Sequence, residues 1–230
     1  MTIANITSSA LNRFCYYWDT MAVRDRIKQV KHLQNKYFIC VLENPKDIVN
    51  IAAAIRNVSA FGVQKIYVIS NNSMVKDFET ARNHKALTRN SVGANKWVFI
   101  KQFDTAADCI DHLQHERYTI AVTSSHVKGK KNVNLYEARF TQKRLAVWFG
   151  NESKGVSDEA VARADLCIEV PMGGIVESLN LGTSTGIILS YISYQRLRFI
   201  FDNRKAVFKP VSIARLKMKS WEEFIKPNRN

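Results

Sequence analysis

The chain has 230 residues, enough to bury the core of one ordinary domain with short additions at its ends. Its 34 Lys and Arg against 20 Asp and Glu leave a net charge of +14, a balance that argues against acidic partners and for a polyanion, nucleic acid before membrane. The plainer alternative is a basic surface that only keeps the chain soluble.

In chain order, residues 1–36 form a basic extension with Arg24, Arg26, Lys28, Lys31, His32 and Lys36, read as helical. A first apolar run, Tyr37 to Leu42, predicts a strand. The loop after it, Glu43 to Asn50, contains no glycine and so excludes both a GxGxxG dinucleotide loop and a Walker A loop. The segment Asp47 to Phe61 predicts a helix with Ile51, Ile55 and Val58 on its core-facing stripe. Arg56 lies roughly opposite, among Val49, Ala52, Ala53 and Ala60. It reads either as an exposed arginine over weakly apolar surface or as a partly covered one able to grip a phosphate with two prongs.

Further strands are predicted over Lys65 to Ile69, Trp97 to Ile100, Tyr118 to Thr123, Leu145 to Phe149 and Leu166 to Val170, with helices over Ala106 to Glu116, Ser157 to Ala164 and Ser178 to about Phe201. This alternation predicts an α/β fold with a mainly parallel sheet and helices on both faces. The run Leu145 to Phe149 is continuously apolar, as strands buried on both sides are. Lys128 to Lys131 reads as an exposed loop, and residues 203–230, with Trp221 and Phe224, as a second basic extension around a domain of residues 37–202. Cys15, Cys40, Cys109 and Cys167 lie far apart, mostly in apolar runs and without metal-ligand spacing, and read as reduced core thiols; no metal site is expected. No stretch approaches the ~20 apolar residues of a membrane span, and the start lacks the pattern of a secretion signal, so a cytoplasmic location is expected.

Open parallel sheets bind ligands beyond the carboxyl ends of their strands, which directs attention to three loops. The first is the glycine-free Glu43 to Asn50 loop. The second, Gly150-Asn151-Glu152-Ser153-Lys154-Gly155, has glycines at both ends that permit close backbone approach to a ligand. The third runs from Val170 through Pro171, Met172, Gly173 and Gly174 to Asn180, with Ser178 placed as helix N-cap and Asn180 able to present its amide.

Taken together and in this order, the stretches NIAAAIRNVSAFGV from Asn50, FGNESKGVSDE and IEVPMGGIVESLNLGTSTGIILSYI resemble the three motifs of the SpoU/TrmH family of knotted SPOUT methyltransferases, and Ser91 to Val98 resembles a further family segment. The resemblance covers about Phe38 to Tyr194. Two departures stand out: Asn57 follows the motif-one arginine where the family usually has threonine, and Leu181-Gly182-Thr183-Ser184-Thr185-Gly186 replaces a run of the Val-Ser-Val-Ala kind. Two glycines near a helix start cost about 1 kcal/mol each relative to alanine, so the packing there must differ.

The resemblance implies a deep carboxyl-terminal trefoil knot and an S-adenosyl-L-methionine cofactor bent into it. Thr123, Gly150, Val170, Met172 and Leu179 would form the cofactor pocket, largely through backbone groups. It implies transfer of a methyl group to a ribose 2′-hydroxyl of RNA, with Arg56, Asn50, Glu152, Ser178 and Asn180 as the catalytic set. tRNA is favoured over rRNA, and a guanosine as target, because one catalytic domain between short extensions looks like the tRNA guanosine enzymes. A homodimer through the knot is expected, with Ile187, Tyr191, Tyr194 and Leu197 of the last helix contributing. A catalytically silent RNA-binding member of the fold is the alternative of another class. A nucleotide-binding oxidoreductase is disfavoured by the missing dinucleotide fingerprint.

Overall fold

The computed structural model describes residues 34–70, 83–124 and 131–202. Cys15, the basic run from Arg24 to Lys31 with His32, Lys128 and its two followers, and the 203–230 tail lie outside them. The unit that carries the site spans Asn35–Arg196.

Its elements are β1 (Asn35–Glu43), α1 (Ile48–Ala60), β2 (Val63–Ile69), α2 (Lys85–Asn90), a 3-10 turn at Ala94–Lys96, β3 (Phe99–Phe103), α3 (Ala106–His115), β4 (Thr119–Thr123), β5 (Asn132–Asn134), β6 (Leu145–Phe149), α4 (Asp158–Arg163), β7 (Leu166–Glu169) and α5 (Leu181–Asp202). The strands form one sheet in the order β3-β2-β1-β6-β4-β7-β5, and every recorded pairing is parallel.

Period-two alternation divides the central strands between two cores. Phe38, Cys40 and Leu42 of β1, with Val147 and Phe149 of β6, pack with Ile51, Ile55 and Val58 of α1 and Ile188, Leu189 and Ile192 of α5. Ile39, Val41, Ala146 and Trp148 point the other way, onto Cys109, Ile110 and Leu113 of α3 and Ala160 of α4. Helices therefore cover both faces, as the continuously apolar β6 demands. Cys40, Cys109 and Cys167 are buried, and no disulfide joins them among the described residues; burial pushes the thiols of Cys40 and Cys109 far above their usual range.

Side-chain caps set the helix starts. Asp47 accepts from Val49 N, Thr105 from Asp108 N and Ser157 from Ala160 N. Two expectations need correction. The third strand begins at Phe99 because the 3-10 turn occupies Ala94–Lys96 and Trp97 closes it. The last helix begins at Leu181, not Ser178: Asn180 Oδ1 accepts from the backbone N–H of Gly182 (2.8 Å) and Thr183 (3.3 Å), so Asn180 is the cap and Ser178 lies exposed before it. The strand β5 and helix α2 carry no apolar run that the sequence could advertise.

Among the described residues, no helix is long and apolar enough to cross a membrane, and no cluster of His, Cys, Asp and Glu is arranged to hold a metal ion.

Candidate active site

The loops after β1, β6 and β7 converge at the carboxyl edge of the sheet, the position where a parallel sheet presents its ligand. A polar chain ties them together. Asn180 Nδ2 donates to Asn50 Oδ1 at 3.0 Å, and Asn50 Nδ2 donates to Glu152 Oε1 at 2.9 Å. The other carboxylate oxygen of Glu152 accepts from Lys46 N at 3.2 Å, and Lys46 Nζ donates to Ser153 Oγ at 2.9 Å. The N–H groups of Gly182 and Thr183 demand an oxygen from Asn180, which leaves its NH₂ for Asn50, whose own NH₂ then meets Glu152. Each amide orientation is thereby fixed by its neighbours. Both oxygens of Glu152 are occupied, which suits a carboxylate that positions loops better than one that collects a proton.

Asn151 organises the second loop. Its Oδ1 accepts from Ser153 N and Lys154 N, its backbone exchanges two hydrogen bonds with Gly155, and its Nδ2 donates to Asn44 O at 2.6 Å, joining the first loop to the second. Sequence reading passed over Asn151; an Asn directly after a strand-ending glycine was the available signal.

Beside this chain lies a cavity of about 310 Å³, lined among others by Thr123, Gly150, Val170, Met172, Leu179 and Ser178. All five residues expected to form the cofactor pocket thus meet around one space, with Ile168, Leu181 and Ile188 supplying apolar wall. The Thr123 hydroxyl is already spent on Trp148 O at 3.1 Å, so Thr123 offers its backbone. Gly150 has a role that its sequence did not display. A Cβ there would fall 2.2 Å from Gly155 C and Val156 N, so the return of its own loop already requires a glycine.

Arg56 stands apart. It is exposed, has no hydrogen bond or ion pair with any described residue, and is not brought to the Glu152–Asn50–Asn180 chain. Six residues of helix separate it from Asn50, about 240° around the axis, which places the two on different faces. Arg56 is thus exposed rather than partly covered, and its guanidinium is open to a ligand.

The two departures from the family pattern meet in space. Asn57 Nδ2 donates to Gly182 O at 2.8 Å and to Thr185 Oγ1 at 2.9 Å. Gly186 lets the Asn57 amide approach to 3.4 Å of where a Cβ would stand, and a Cβ on Gly182 would lie 2.9 Å from Ala53 Cβ. Both glycines let α5 close onto α1.

Comparison with known proteins agrees with this geometry. Residues 37–190 match the SpoU rRNA Methylase family. The tRNA (guanosine(18)-2′-O)-methyltransferase of Aquifex aeolicus is 30% identical over 201 residues, 87% of this chain and 90% of that protein. Among solved structures, the A. aeolicus TrmH/SpoU tRNA modifying enzyme superposes with a TM-score of 0.63 at 29% identity, over 77% of this chain and 85% of that one. The SpoU methyltransferase AviRb of Streptomyces viridochromogenes, in complex with AdoMet, shares the fold at a TM-score of 0.60 and 22% identity, over 71% of this chain and 62% of that one. A seven-stranded parallel sheet, three motif loops gathered at its carboxyl edge and a family match over most of the chain lead to one assignment: this chain belongs to the SpoU RNA methylase family.

Proposed function

We propose that the protein transfers a methyl group from S-adenosyl-L-methionine to the 2′-hydroxyl of a guanosine in tRNA. The observation that carries this reading is the gathering of Thr123, Gly150, Val170, Met172 and Leu179 around one cavity, beside the Glu152–Asn50–Asn180 chain. The cavity fits such a cofactor: apolar walls from Ile168, Val170 and Ile188 suit an adenosine, and the carboxylate of Glu177 at its lining suits a sulfonium and an ammonium. When bound, the cofactor supplies an electrophilic methyl group.

The chain's own residues do the rest. A ribose hydroxyl must lose its proton as its oxygen attacks, and a group must orient it or stabilise the charge. Glu152 has both oxygens engaged, so it holds Asn50 and the first loop in place. Asn50 is held in turn by Asn180, and Ser178, free of the helix cap, is exposed at the cavity to meet the ribose. Arg56, exposed and unpaired among the described residues, is available to grip the substrate phosphate and orient the hydroxyl.

The tRNA preference rests on the named activity of the A. aeolicus relative, which this chain matches over nearly its whole length. We propose with it the knotted threading of the β7–α5 segment, supported by the way that segment and the loops after β4 and β6 share one cavity. A homodimer is supported by exposed apolar side chains beside the site-bearing helices, Val49 at 52%, Tyr136 at 51% and Tyr194 at 44%, which a second copy would cover.

The test is incubation of the protein with methyl-labelled cofactor and, in parallel, unmodified tRNA or rRNA, followed by nucleoside digestion and mass spectrometry. The expected product is 2′-O-methylguanosine. Label appearing only in rRNA would move the substrate, and label on a base would overturn the ribose reading.

A further inference from the structure

A second cavity, of about 410 Å³, opens at the carboxyl edge of the sheet, and Asn151, Lys154 and Gly155 of the second loop line it as well as the first cavity. Its lining includes Glu43, the last residue of β1, whose side chain no step above uses. Glu43 is 4% exposed. Its Oε2 accepts from the Trp148 indole at 2.8 Å and from Ser157 N at 3.2 Å, which pins the carboxylate. Among the described residues its Oε1 has no hydrogen-bond partner, and it is not sealed in the core: it faces the cavity. A carboxylate whose other oxygen is pinned and whose Oε1 opens on a cavity is set to accept a hydrogen bond from a donor that enters it.

The other end of the cavity has the opposite character. Lys46 and Lys154 are exposed there, and Lys154 Nζ has no partner among the described residues. A ligand matching both ends carries N–H donors at its buried end and negative charge at its exposed end. A nucleotide has this polarity, with the donor edge of its base inward and its phosphate outward. Guanine, with adjacent N1–H and N2–H₂ groups, offers more donors to a carboxylate than any other base.

We infer that this cavity receives the guanine base of a nucleotide in the substrate RNA, read by Glu43 Oε1, with the phosphate held by Lys46 and Lys154. The inference rests on the RNA substrate proposed above, and its test is independent of methyl transfer. The full-length protein is saturated with S-adenosylhomocysteine to occupy the first cavity, and GMP, UMP and guanosine are titrated by saturation-transfer NMR.

Glu43→Gln is the informative variant. The Trp148 and Ser157 N–H groups still demand an oxygen, so the glutamine NH₂ must turn toward the cavity and replace an acceptor by a donor. GMP binding should weaken by at least about tenfold and the preference for GMP over UMP should vanish, with thermal midpoint and cofactor affinity unchanged. Lys154→Ala, an exposed substitution with no folding risk, should abolish the preference for GMP over guanosine. If the wild-type protein does not distinguish GMP from UMP, or if folded Glu43→Gln retains the distinction, Glu43 is a structural carboxylate and the inference is overturned. RNA methylation assayed alongside reports separately on the proposed activity: GMP binding without methylation fails that reading and leaves the cavity assignment standing.

Discussion

Arg56 shows how far a side chain can be understood one residue at a time. Its exposure and its lack of partners among the described residues are what a phosphate-gripping guanidinium needs before RNA arrives. Arg56→Ala should lower the single-turnover methylation rate by at least about 100-fold, the scale of losing a charge-stabilising or proton-transfer group, with cofactor affinity unchanged. Arg56→Lys should fail nearly as badly, because an ammonium cannot reproduce a planar two-pronged grip; near-normal rates from the lysine variant would reduce Arg56 to a surface cation. Gly150 teaches the opposite lesson. The clash of any Cβ with the backbone of Gly155 and Val156 means that even Gly150→Ala must open the second loop. Calorimetry should show lost cofactor binding together with a lowered thermal midpoint; full affinity with a native midpoint would show that the loop can relax around a methyl group. The sequence displayed the glycine but not its reason, because that reason is a contact made only when the loop folds back.

At the scale of elements, strands buried on both faces are legible because both faces want apolar residues, as in Leu145–Phe149. The strand β5 was hidden because Asn132-Val133-Asn134 becomes a strand only by pairing with Cys167–Glu169 of β7. The helix cap was expected at Ser178, a good cap by type, and falls instead to Asn180, whose amide is also held by Asn50, 130 residues earlier. The Glu152–Asn50–Asn180 chain was likewise beyond any spacing rule; only the family pattern placed those residues together. The two departures, Asn57 and the Gly182/Gly186 pair, were visible singly, and their meeting was not. That junction gives a prediction. Gly182→Ala should destabilise the protein by about 1–3 kcal/mol, since its Cβ meets Ala53 Cβ at 2.9 Å. Adding Ala53→Gly should recover a large part of that loss despite the usual cost of glycine in a helix. Urea denaturation of the single and double variants measures the coupling, and purely additive losses would show that the helices do not meet there in solution.

At the scale of the whole molecule the net charge of +14 was the first thing visible, and it remains the least assigned. Residues 203–230 carry eight Lys and Arg and two Glu, six of the fourteen net positive charges, and lie outside the described residues. Charge alone cannot separate an RNA-gripping tail from a solubilising one, but counterion release can. Each phosphate that a lysine or arginine neutralises frees a condensed cation, so affinity falls with salt at a slope of about −0.9 per contact on B-form DNA and about −0.7 on single strands, the scale expected for RNA. A tail that grips phosphates therefore contributes to the slope, whereas a tail that only keeps the protein soluble contributes nothing, whatever its charge. Removing residues 203–230 should weaken tRNA binding and flatten the slope by about 2 to 4, as measured by fluorescence anisotropy between about 50 and 400 mM KCl. Cofactor affinity should stay constant, because every described residue that lines the cavity precedes the tail. A weaker complex with an unaltered slope would mean that the loss came from something other than phosphate contacts, and the positive charge of the tail would then be idle in RNA binding.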